Sequence, residues 1–280
     1  MTPYYQDLCI SRWHLDELSS AIDQYESILG DYVNSAGLEV SEVYPEIILR
    51  TVCRSIRTLR GILAVSACGL PDEAMALARE LYEHFVVLYY LDIHKNDENF
   101  QDMISDYFLD YLLQWYKSRK YQLEALGDSS GLDEINSEFS NIKSHAHRKL
   151  TGSFWWSGFS TLNNLVSENI KRSSKQYHKF LYELHLLYKR ACLSIHHSCS
   201  GNMIQLGVSS DFYGIDNRPT SDGLSTPLYF ATASFIYVAG TCGAAYGLDV
   251  SSSIDKLNEL ATFYHLSDDY SGSRESDTTL

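Results

Sequence analysis

Arg190 and His196 are the residues of this chain whose types and spacing best suit chemistry. They lie six positions apart in Tyr-Lys-Arg-Ala-Cys-Leu-Ser-Ile-His-His, residues 188–197. On a helix that is about 9 Å of axis and close to two turns, so both side chains are expected on roughly the same face. A histidine that titrates near neutral pH can take a proton from a ribose 2′-hydroxyl. An arginine can stabilise the charge that builds on the phosphate. The pair suits metal-independent RNA cleavage that leaves a cyclic phosphate end. His197 is an alternative to His196. A histidine that caps the helix or hydrogen-bonds in the core explains the same spacing without catalysis.

Two other groups of charges bear on this site. Arg79 and Glu83 are four residues apart in Ala78-Arg79-Glu80-Leu81-Tyr82-Glu83, so they share a helix face amid apolar neighbours. An exposed pair of this kind contributes only about 0.3–0.5 kcal/mol. A polar cluster inside a helix bundle, facing His196, is the functional alternative. Arg50, Arg54 and Arg57 follow helical spacing, with Arg60 at their edge. They could bind RNA phosphates or meet an acidic partner, or form a solvated face paired with local Glu and Asp.

Other motifs are absent or weak. His145 and His147 are two apart, point to different helix faces and lack a third ligand for zinc. No Gly-rich phosphate loop, Gly-x-Ser-x-Gly or Asp-x-Asp occurs. No metal or cofactor is therefore expected. The Trp155-Trp156 pair reads as packing rather than a base-stacking platform, and the 21 tyrosines as amphipathic helix interfaces.

The 280 residues are 45% hydrophobic, enough to bury a sizeable core. The formal net charge is −14, so any phosphate site needs a local basic patch. Six scattered cysteines without Cys-x-x-Cys spacing read as reduced thiols of a cytoplasmic protein. The first residues lack the basic and apolar runs of a signal peptide. Residues 223–248 are uncharged and long enough to span a bilayer. They are rich in Ser, Thr, Gly and Tyr with no flanking Lys or Arg, so a buried central helix is expected instead.

Apolar periodicity predicts helices over 12–35, 45–68, 71–94, 98–125, 132–149, 160–172, 174–197, 223–248 and 251–265. Trp13, Leu18 and Ile22 mark the first stripe, and Phe100, Ile104, Phe108, Tyr111, Leu112 and Trp115 lie on the fourth. No run reads as a strand. A single all-helical domain over 1–265 is expected, with a candidate flexible joint near 126–131 and a disordered tail over 266–280.

Three blocks carry a resemblance. They are Arg57 to Leu91, with Gly69, Glu73-Ala74 and Arg79-x-x-x-Glu83; Trp156-Ser157-Gly158; and Tyr188-x-x-x-Cys192-x-x-x-His196, with Cys192 in a serine place. In order and spacing they resemble a bacterial helical domain-of-unknown-function family, number 5677, itself similar to the HEPN group. The resemblance implies an all-α, multi-helix bundle with an HEPN-like core and additional helices, and a polar site from Arg79, Glu83 and His196. The HEPN likeness implies RNA cleavage, often by homodimers, in toxin or antiphage defence settings with a partner or antitoxin protein. Arg190 and His196 would be the catalytic pair. The chain departs from the group in Ala191, where a polar residue is common, and in its length. Some relatives are noncatalytic binding modules, so an interaction or sensor module is the competing expectation.

Overall fold

The computed structural model describes residues 12–36, 43–150, 152–195 and 223–272. Among them the chain is all-α, with nine α-helices, one 3₁₀ turn and no strand. It is a multi-helix bundle. The helices are α1 (Arg12–Ala36), α2 (Val43–Ala67), α3 (Pro71–His94), α4 (Phe100–Leu126) and α5 (Ser129–Lys143). They are followed by α6 (Leu162–Arg172), α7 (Lys175–Ile195), α8 (Ser225–Tyr246) and α9 (Ser251–Gly272). The chain divides into two compact units. One comprises the described residues of Met1–Tyr89 and Ser174–Leu280, the other those of Tyr90–Ser173.

In the first unit α8 is central, packed by α2, α9 and α7. It is the one helix among the described residues long and apolar enough to cross a membrane, and most of its surface is buried by its neighbours. Phe230, Phe235 and Val238 are fully buried. Burying each phenylalanine contributes about 1.5–3 kcal/mol before entropy is counted. Its hydroxyls need partners in such a setting, and Ser234 Oγ donates to the Phe230 carbonyl at 2.8 Å. Gly243 sets the approach to the segment that opens α9, since a Cβ there would meet Val250 Cγ2 at 2.5 Å. The hydroxyl of buried Tyr25 donates to the Ala239 carbonyl at 3.1 Å and joins α1 to α8.

The apolar stripe of α2 is buried through Ile48, Val52, Ile56 and Leu59, as its spacing predicts. The start of α3 follows local chemistry: Gly69 turns left-handed after α2, and Pro71, Asp72 and Glu73 form the first turn. That turn fixes the register placing Arg79 and Glu83.

The second unit holds α4, α5, α6 and the turn Trp155–Ser157. Trp155 and Trp156 are buried. Trp156 meets Tyr107 edge-on at 4.9 Å, and Trp155 Nε1 donates to Asp110 at 2.6 Å. The pair packs, as expected. Residues 126–131 are a capped turn, with Gly127 left-handed and Asp128 accepting from the Gly131 N–H at 2.9 Å.

Several helix expectations change. Trp13, Tyr111, Leu112 and Trp115 are exposed. On α4 Phe100 and Ile104 are buried as expected, but the rest of the buried side is Met103, Leu113 and Leu123. The fifth helix stops at Lys143, and α9 runs to Gly272, past the expected start of a disordered tail at 266.

Candidate functional site

Arg79 and Glu83 face α7 inside the first unit. Their ion pair spans 3.1 Å, and both side chains are about a third exposed or less, 27% and 36%. From α7, the Tyr188 hydroxyl donates to Glu83 Oε1 at 3.3 Å, while the Arg79 guanidinium lies 5.4 Å from the Tyr188 ring centroid. That is within cation–π range. Arg79 Nε is buried and has no acceptor. Such a donor is costly unless something accepts from it.

Tyr188 is the hinge of the cluster. Burial pushes its pKa up to about 12, helped by a hydrogen bond with Cys192 and by the Glu83 charge, and opposed by Arg79. The phenol therefore stays protonated near neutral pH and acts as a donor. Below it, Tyr82 O–H and His185 Nδ1 pair at 3.2 Å, and the His185 and Tyr188 rings stack at 5.8 Å. Burial, then Lys189, lowers the His185 pKa, so this imidazole is neutral. The polar layer is closed on its inner side by the rings of Tyr82, Phe85 and Phe230.

Arg190 is on α7 but exposed. At about 100° per residue it lies roughly 200° around the axis from Tyr188. The same rotation corrects the expectation of a shared face: six residues turn through about 600°, leaving positions 190 and 196 about 120° apart on an ideal helix. The series 188, 192, 196 keeps one face better. His196 and His197 lie outside the described residues, so the structure brings together Arg79 and Glu83 with Tyr188 and Cys192, not the full expected set.

The arginines of α2 are mostly engaged. Arg50 Nε donates to Glu46 at 2.7 Å, and Arg54 pairs with Glu80 at 2.6 Å. Arg60 pairs with Asp23 at 2.7 Å and with Glu26. Arg57 is exposed and has no ion pair among the described residues. This is the arrangement of a solvated, acid-paired face. Next to it His84 is half-buried, with Ser55 Oγ 3.1 Å from Nδ1. Burial, then the Arg54 charge, lowers its pKa to about 4.

The second unit holds a polar cluster that sequence reasoning missed. Asp106 is fully buried and accepts from the His147 N–H at 2.9 Å and from Arg148 Nη1 at 3.3 Å. His147 Nδ1 is 3.2 Å from the same carboxylate. His147 is thus a carboxylate partner. Among the described residues no group of His, Cys, Asp and Glu could hold a metal ion. The Trp-Ser-Gly element is a structural turn: Ser157 Oγ donates to the Phe154 carbonyl at 2.6 Å, and Gly158 closes the turn at φ 86°. Tyr188 was legible only as a pattern position, because its contact to Glu83 spans 105 residues.

A family model described as a family of unknown function (DUF5677) matches residues 46–212. The match contains nearly all of α2, the whole of α3 to α7, and the polar residues just described except Asp23 and Glu26. No curated protein matches the chain, and no solved structure does.

Proposed function

We propose that this chain, which belongs to the family of unknown function DUF5677, is an HEPN-like, metal-independent ribonuclease acting as a toxin effector in bacterial antiphage defence. The observation that carries the reading is the buried Arg79 Nε donor without an acceptor, beside Tyr188 and Glu83. A phosphate oxygen of RNA would satisfy it. On a helical continuation of α7, the spacing Tyr188, Cys192, His196 would bring the histidine to this face.

In the proposed reaction His196 takes the proton of a ribose 2′-hydroxyl. The 2′-oxygen then bonds to phosphorus, the bond from phosphorus to the 5′-oxygen breaks, and water protonates the leaving oxygen. The products are a 2′,3′-cyclic phosphate and a 5′-hydroxyl. Arg79 would stabilise the phosphorane charge and Glu83 would orient Arg79, while Arg57, exposed and without an ion pair among the described residues, would be available to the RNA backbone. The HEPN resemblance supports a cytoplasmic homodimer regulated by a partner or antitoxin protein.

A second reading rests on the engaged charges. Arg79 with Glu83, and Arg50 and Arg54 with Glu46 and Glu80, already have partners. That favours a noncatalytic interaction module. The two readings separate on RNA: growth and total RNA are followed after induction of wild type, His196→Ala and Arg79→Gln, and purified protein is tested with EDTA present. The ribonuclease reading expects fragmentation, lowered about 10²-fold or more by either substitution in a folded protein. Intact RNA with wild type, in cells and in vitro, refutes it and leaves the interaction module.

A further inference from the structure

We propose that the outward face of α4 is a docking surface for single-stranded RNA; the choice of RNA rests on the function proposed above. Tyr111, Trp115 and Tyr121 are 69%, 52% and 73% exposed, an unusual outlay of aromatic surface on one helix. Tyr111, Trp115 and Arg119 follow four-residue spacing and form one stripe. Lys117 and Tyr121 form a second, with exposed Gln114 and Ser118 between the two. Lys120 flanks them.

Charge decides the partner. Residues 111–123 contain three cations and no acid, in a chain of net charge −14. Elsewhere the arginines of α2 are mostly held by carboxylates, whereas Arg119 donates to neutral Gln122 at 3.2 Å. Lys120 meets Glu124 only at 4.0 Å. Asp110, the nearest preceding acid, is taken by the Trp155 indole. Cations interleaved with open aromatic rings match a strand whose phosphates need neutralising and whose bases offer flat faces. A duplex hides those faces in its stack. An apolar protein surface would leave the cations desolvated and unpaired.

The test is fluorescence anisotropy of a labelled single-stranded 2′-O-methyl oligonucleotide of about a dozen nucleotides, titrated with the full chain. The probe lacks the nucleophilic hydroxyl, so binding is read without cleavage. Tyr111→Ala/Trp115→Ala is expected to weaken binding by about 20-fold or more, from a stacking loss of about fivefold or more per base. Lys117→Gln/Arg119→Gln/Lys120→Gln is expected to flatten the log–log salt slope by about 2. The replaced side chains are exposed, and unchanged thermal melts check that the variants fold. No binding by wild type overturns the proposal, as does equal affinity of the aromatic variant. Self-association that Trp115→Ala abolishes, with no oligonucleotide bound, also overturns it by assigning the face to protein contact. Cleavage by His196 is scored on natural RNA in the separate assay, so failure of the surface and failure of the nuclease are distinguishable.

Discussion

Acidification from about pH 7.5 to about pH 5 is expected to destabilise the first unit through His84, and His84→Gln is expected to remove that part of the loss. The imidazole is only 14% exposed, with Ser55 Oγ 3.1 Å from Nδ1 and Glu80 4.0 Å from Nε2. Burial, and secondarily Arg54, hold its pKa at about 4, against a weaker upward pull from Glu80. In the unfolded chain it returns to the ordinary value of 6.5. The folded form therefore binds this proton less tightly than the unfolded form. Its stabilising contribution is present above the unfolded value and is lost as pH falls towards the folded one. The full shift corresponds to about 3 kcal/mol, of which about 2 kcal/mol is already lost by pH 5. Urea melts of wild type and His84→Gln at both pH values isolate the effect, because His14 and His185, also lowered by burial, are common to both proteins. Glutamine stays neutral and can still meet Ser55. A variant that loses as much stability as wild type over this interval would refute the burial argument.

Three substitutions probe the second unit. Asp106→Asn keeps the shape of a fully buried side chain but removes the charge facing Arg148, which is itself 20% exposed. A loss of about 2–3 kcal/mol is expected in urea melts, and a loss under about 0.5 kcal/mol would assign the cluster to hydration rather than stability. Gly152→Ala is expected to cost more than Gly158→Ala. Both glycines have positive φ, but a Cβ at 152 would lie 2.4 Å from the Ser160 carbonyl oxygen, while 158 faces open space. The second change should cost about 1 kcal/mol, and hydrogen exchange over 152–160 reads the difference.

Helix positions were legible in the sequence wherever one apolar stripe dominated, as in α2, because a 3.6-residue period leaves only one face to bury. On α4 the same rule misled. Phe100, Ile104, Phe108, Tyr111, Leu112 and Trp115 satisfy the period, yet beyond Ile104 the buried apolar stripe runs through Leu113 and Leu123. Aromatic residues score as core whether they pack or not, and the cations at 117, 119 and 120 were the signal of an open face. The ion pair of Arg79 with Glu83 is local and was readable from its four-residue spacing. Its link to Tyr188 was not, since helix periodicity carries no information about which helices meet. Asp106 shows the same limit: its burial depends on His147 and Arg148, over 40 positions away.

Cations on this chain thus fall into two populations with different physical roles. Arg50, Arg54, Arg60 and Arg79 are matched by carboxylates within hydrogen-bonding distance. Drawing a phosphate to them requires breaking or sharing those pairs, which costs part of the Coulombic gain. Lys117 and Arg119 have no such pair among the described residues, so a phosphate meets their full charge. Affinity for a nucleic-acid backbone should therefore track the α4 cations, while the geometry at one phosphate should track Arg79, whose fixed partners hold the guanidinium in place. Neutralising α4 ought to change how strongly RNA binds and how salt weakens it. Replacing Arg79 ought to change the rate of cleavage of RNA that is already bound.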